Sequence, residues 1–146
     1  MASTKKSVLA KQKALRAETY RVMEELLNFA EGRGRLEIGE AQVGSFHYVI
    51  PLATGSPVRA FYTGAYSAGK VAFDMTSLKN SGVGKEVVDA FRNVVQSIPG
   101  LPRGYGGESW EEFDALVLQK AATKVAFMKA IESLEELLLP YSRTAQ

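Results

Sequence analysis

Gly64-Ala65-Tyr66-Ser67-Ala68-Gly69-Lys70 fits the first seven positions of a phosphate-binding loop and follows a segment of strand character. The eighth position breaks the match, because Val71 stands where a Ser or Thr hydroxyl must hold magnesium. The residues beyond it alternate as a strand, whereas the motif needs a helix whose N-terminus faces the phosphates. A hairpin turn is expected there instead. Ser81-Gly82-Val83-Gly84-Lys85 is a second near match, with Lys79 in place of the first glycine and Glu86 in place of the hydroxyl. Its backbone N–H groups could draw an anion, but a glycine-softened helix start is the plainer reading. Gly32-x-Gly34 lacks the third glycine of a dinucleotide fingerprint and follows a helical pattern, which makes it a C-cap.

His47 is the only histidine, so a histidine-rich metal site is excluded and any mechanism with a histidine base rests on this residue. By strand alternation it lies opposite Phe46, Tyr48 and Ile50, where a partly exposed structural role is expected. A pocket of His47, Tyr62 and Asp74 is the one enzymatic constellation worth naming, although the sequence alone does not bring the three together. The absence of cysteine rules out disulfides, thiolate metal sites and a cysteine nucleophile. No Glu, Asp or Gln precedes a Lys by two places, so the Glu-x-Lys element of restriction-type nucleases is missing. Glu24-Glu25, Glu111-Glu112 and Glu135-Glu136 lie in helical patterns and read as solvated faces. No catalytic residue, cofactor or metal ligand is expected.

The charge distribution says more than the motifs. Lys5, Lys6, Lys11, Lys13 and Arg16 all precede the first acid, Glu18, in a chain of net charge +2. Positive charge at a helix N-terminus opposes the macrodipole, so phosphate contact is one reason to place it there, with Arg33 and Arg35 extending the patch. No aromatic residue interleaves with these lysines to stack on bases.

The elements that would carry these residues follow from periodicity. Val8, Leu15, Val22 and Phe29 recur every seven residues, widened by Met23, Leu26, Leu27 and Ala30, which predicts one long helix over residues 7–30. Residues 1–6 read as a disordered basic arm. Leu36 with Ile38, and Phe46 with Tyr48 and Ile50, alternate as two strands. Residues 58–63 and 71–75 form a second pair, with Ser67, Ala68 and Gly69 in the turn and Met75 in the strand. Val87, Val88, Phe91, Val94, Val95 and Ile98 give a helix over residues 84–97 that Pro99-Gly100 ends. Residues 109–118 are open between a helix capped by Ser109 and Glu112 and a short strand. Val125, Met128, Ile131, Leu134 and Leu138 mark a closing helix that Pro140 should terminate.

Over residues 60–138 the order of these features resembles an uncharacterised bacterial module loosely associated with restriction and other defence-related proteins. The resemblance rests on the strand pair around Gly69-Lys70-Val71, the helix closing on Ile98-Pro99-Gly100-Leu101, and Phe127, Ile131 and Leu134 in the last helix. It supplies no catalytic residues, and the basic N-terminal helix lies outside its pattern.

The expectation is a single α+β domain over residues 1–146. An antiparallel sheet of about four strands packs one face against the long N-terminal helix and two or three C-terminal helices. Lys11, Lys13 and Arg16 interrupt any signal-peptide core, and no apolar run approaches a membrane span, so a soluble cytoplasmic protein is expected. The first functional expectation is a non-enzymatic binding or assembly module that self-associates through Val8, Leu15, Val22 and Leu26. The alternative is a nucleic-acid-associated accessory protein contacting phosphates through Lys5, Lys6, Lys11, Lys13 and Arg16.

Overall fold

In the computed structural model residues 4–39, 45–53, 55–63, 69–101 and 112–142 are described. The chain runs through α1 (Lys5–Leu15), a 3-10 turn (Ala17–Thr19), α2 (Tyr20–Gly32), β1 (Leu36–Ile38), β2 (Phe46–Ile50), β3 (Val58–Thr63) and β4 (Lys70–Phe73). It continues through α3 (Met75–Lys79), α4 (Lys85–Gln96), β5 (Phe113–Asp114), a second 3-10 turn (Ala115–Gln119) and α5 (Ala121–Ser142). This is the α+β class expected from the sequence, with five strands instead of about four. No described helix is long and apolar enough to cross a membrane.

The sheet order is β1-β2-β3-β4-β5, antiparallel throughout. Alternation in β2 sends Phe46, Tyr48 and Ile50 to one side, where all three are fully buried. Phe61, Phe73 and Phe113 join them from β3, β4 and β5. Phe127 of α5 sits at the centre of this layer, its ring centroid 5.2 Å from Phe61, 5.0 Å from Phe73 and 6.2 Å from Phe113. Phe91 of α4 meets Phe73 at 5.6 Å, and Phe29 of α2 stacks on Tyr48 at 5.5 Å. Each fully buried ring contributes roughly 1.5–3 kcal/mol by leaving water. α2, α4 and α5 therefore gather on one face of the sheet.

Four local expectations are corrected by the structure. The single helix over residues 7–30 is instead an antiparallel helical hairpin: Lys5 Nζ reaches Glu31 Oε1 at 2.8 Å, and Lys13 Nζ lies 5.3 Å from the Tyr20 ring centroid. Arg16 leaves the helix at φ −156°, ψ 85°, sending its Nη2 to Asp114 Oδ2 at 2.8 Å while its carbonyl accepts the Thr19 hydroxyl at 2.9 Å. No residue from 16 to 19 is a helix breaker, so a tertiary contact overrides a local preference. The arm expected over residues 1–6 is helical from Lys5, behind a capping box between Thr4 and Ser7, while residues 1–3 lie outside the described residues.

Met75 starts α3 and not the end of a strand, because the Asp74 carboxylate caps that helix by accepting Ser77 N–H at 2.9 Å. Pro140 lies inside the last turn of α5 and does not end it. Tyr141 holds that turn in place, its carbonyl accepting Ala53 N–H at 2.8 Å and its hydroxyl accepting Gly84 N–H at 3.3 Å. The open segment 109–118 resolves from residue 112 onward into a two-residue strand and a 3-10 turn, with Asp114 accepting Leu116 N–H at 2.9 Å. Ser109 and Trp110 lie outside the described residues.

Candidate functional site

The same alternation that buries Tyr48 and Phe61 turns their neighbours outward. His47 pairs with Tyr62 across β2 and β3, and their rings lie 6.1 Å apart, tilted by 46°. A register shift between Tyr48 and Val49 then places Arg59 opposite Val49. Glu37 of β1 lies opposite His47, and its Oε1 is 3.7 Å from Arg59 Nη2, so an ion pair spans β2 from one neighbour to the other. Asp74 follows β4, with its N–H donated to the Ala60 carbonyl at 3.2 Å. The outward face thus carries Glu37, His47, Arg59, Tyr62 and Asp74 together.

Electrostatics support the grouping. Burial disfavours the charged imidazolium of His47 and lowers its pKa, Arg59 adds to the effect, and the charges of Glu37 and Asp74 oppose it. Nδ1 of His47 is buried with no hydrogen-bond partner. Tyr62 is pushed up, first by burial and then by the charges of Glu112 and Asp74. Glu112, immediately before β5, therefore belongs to the same neighbourhood. Among the described residues, no three of these side chains are placed to share a metal ion.

Three carboxylates on or beside this face already have structural partners. Asp74 caps α3, Glu37 faces Arg59, and Asp114 is held by Arg16 and by the Leu116 N–H. Burial works against ionised Asp114, but those partners outweigh it and hold its pKa below the ordinary value. A histidine base usually leans on a carboxylate that fixes its tautomer, and Nδ1 of His47 has no such partner. Among the described residues the arrangement offers a mixed aromatic and charged surface.

The inward side of β2 behaves differently. Arg35 grips Glu135 of α5 through Nε at 2.9 Å and Nη2 at 3.0 Å, and the Tyr48 hydroxyl donates to Glu135 Oε2 at 2.6 Å. Burial opposes the Glu135 charge, yet Arg35 and Tyr48 outweigh it and lower its pKa. Burial and the hydrogen bond to Glu135 raise Tyr48. Arg33 pairs with Glu132 one turn away and covers the Phe29 ring at 5.0 Å. Glu135 is a structural anchor of the sheet, not part of a solvated acidic face.

The basic residues expected to contact phosphate are largely occupied. Lys5 pairs with Glu31, Lys13 covers Tyr20, and Arg16 binds Asp114, which leaves Lys6 and Lys11 exposed and without an ion pair among the described residues. Arg33 and Arg35 are spent on Glu132 and Glu135. Of the four apolar residues expected to mediate self-association, Val8, Val22 and Leu26 are buried in the chain's own core, and only Leu15 is exposed, at 46%. They anchor the hairpin, not an outer surface. At the start of α4 the Glu86 carboxylate folds back beside Gly84, in the space a Cβ there would need. Residues 64–68 of the phosphate-loop-like stretch lie outside the described residues, while Gly69 adopts φ +76°.

Sequence reasoning missed Glu37, Arg59 and Glu112. The signal was present for the first two, since each alternates with apolar inward residues of its strand. Comparison with family models, with curated proteins and with solved structures finds no match for this chain.

Proposed function

We propose that this chain is a non-enzymatic binding module that engages its partner through the outward face of the sheet. The observation that carries the reading is the cluster of His47, Tyr62, Glu37 and Arg59 at the centre of that face, while the helix-to-sheet aromatic contacts fall on the other. Aromatic rings beside an arginine and scattered acids supply apolar contact area and directional polar groups, the mixture that protein interfaces use at their centres. Asp74 already serves as a cap and Glu37 as an ion-pair partner, which favours contact over chemistry.

The test compares what the wild-type chain and a Tyr62→Ser/Arg59→Ala variant retain from a native extract, identified by mass spectrometry. A species held by the wild type and lost by the folded variant supports the reading. Identical retention by both overturns it.

A further inference from the structure

The N-terminal hairpin is closed by a tertiary latch against the preference of its own sequence. Arg16-Ala17-Glu18-Thr19 contains no glycine or proline, and the seven-residue repeat of Val8, Leu15, Val22 and Phe29 runs through the bend without a break in phase. Within the bend the Arg16 carbonyl accepts the Thr19 N–H at 3.1 Å and the Thr19 hydroxyl at 2.9 Å, and the contacts that fasten it are remote in sequence. Arg16 Nη2 bonds Asp114 Oδ2 at 2.8 Å across 98 residues, and the Arg16 and Thr19 side chains rest against Gly69, where an added Cβ would lie 2.7 Å from Arg16 Cδ and 2.9 Å from Thr19 Cγ2. α1 packs mainly against α2 and the turn between them, through Val8, Leu9 and Gln12 and the Lys5–Glu31 pair. It is a short arm on a four-residue hinge.

We infer that the hairpin opens into one continuous helix over residues 5–32, and that two copies of this chain exchange their α1 arms to form a swapped dimer. The open helix is about 42 Å long at 1.5 Å per residue. Each α1 then makes with the partner's α2 the contacts it makes at home, so the groove that α1 leaves is filled by an identical segment. The balance between the two forms lies in the hinge alone. Opening breaks the Arg16–Asp114 pair and gains helical hydrogen bonds through residues 16–19. It also carries Leu15, 46% exposed in the closed hairpin, toward the two-fold axis where the two hinges adjoin. This inference does not depend on the sheet-face reading and locates self-association in a different part of the molecule.

Two kinds of variant test it. Arg16→Ala removes the latch and supplies a strong helix former, and Asp114→Asn weakens the latch while keeping an oxygen for the Leu116 N–H. Ala17→Pro does the reverse: proline fits the first position of the 3-10 turn after an extended Arg16 but breaks a continuous helix. The proteins are refolded from denaturant at high micromolar concentration and sized by light scattering, with circular dichroism and thermal melting to confirm folding. Arg16→Ala and Asp114→Asn are expected to lower the dimer dissociation constant about tenfold or more, and adding Ala17→Pro to either is expected to return a folded monomer. Latch variants that remain monomeric overturn the inference. So does a dimer that survives Ala17→Pro, since that would be an ordinary surface dimer.

Discussion

His47 and Tyr48 are neighbours in β2, yet they face environments built to opposite ends. Tyr48 is fully buried, and its hydroxyl donates to Glu135, which Arg35 grips from the other side. His47 is half-buried, with a ring nitrogen that finds no partner and a cross-strand Tyr62 beside it. The inward side matches polar groups with one another and so contributes to stability. The outward side keeps a buried ring nitrogen without a hydrogen-bond partner, which costs stability and is consistent with a surface held for contact.

That contrast gives a ranked set of expected outcomes. Phe73→Ala empties the centre of the aromatic layer, where Phe91, Phe113 and Phe127 converge, and should cost about 3–5 kcal/mol in denaturant unfolding. A loss below about 1 kcal/mol would mean that this layer is not the core. Glu135→Gln keeps the shape but removes the charge that Arg35 and Tyr48 share, and should cost about 1–3 kcal/mol at neutral pH.

The Glu135 pKa is lowered on folding, so its contribution is present above the ordinary carboxylate value of 4.5 and lost as pH falls below it. The Glu135→Gln variant should therefore show a shallower acid transition than the wild type in that range. His47 acts at a higher pH. Its pKa is also lowered on folding, so again the unfolded chain binds more protons, and this contribution is full above 6.5 and declines as pH falls through that value. His47→Gln should flatten the stability profile just below pH 6.5 and leave the more acidic limb unchanged; an unaltered profile would show that the imidazole is not the group involved.

Arg59→Ala is expected to change stability by about 0.5 kcal/mol or less, because the side chain is exposed. It should nevertheless weaken partner retention. The comparison between faces is sharpest if stability and retention separate in this way, and it fails if Arg59→Ala destabilises the fold as much as Glu135→Gln.

Much of this architecture was legible in the residues. Phe46, Tyr48 and Ile50 announce both the strand and its buried side, and Val87, Val88, Phe91 and Val95 mark α4 and its packing face. β5 was not legible because two residues cannot display an alternation, and only pairing with Lys70 and Val71 defines it. The bend at Arg16 was hidden for the opposite reason: a strong local pattern is overruled by a residue far along the chain. The site was half-readable. His47, Tyr62 and Asp74 could be named, but their proximity comes from the pairing of β2 with β3 and of β3 with β4, which no single-strand pattern encodes. α3 had a readable signal in Asp74 followed three places later by Ser77, masked by the apolar run that precedes it.

The latch on the N-terminal hairpin also sets an order of events during synthesis. Asp114 follows Arg16 by 98 residues, so at ribosomal rates of roughly 5–20 residues per second the arm waits about 5–20 s for the residue that fastens it. Throughout that interval the segment has its helical preference and the contacts between α1 and α2, but not the bond to Asp114. If two copies exchange arms as inferred, neighbouring chains on one messenger would meet while both arms are still unfastened, and the pace of translation would set how often they leave the ribosome joined.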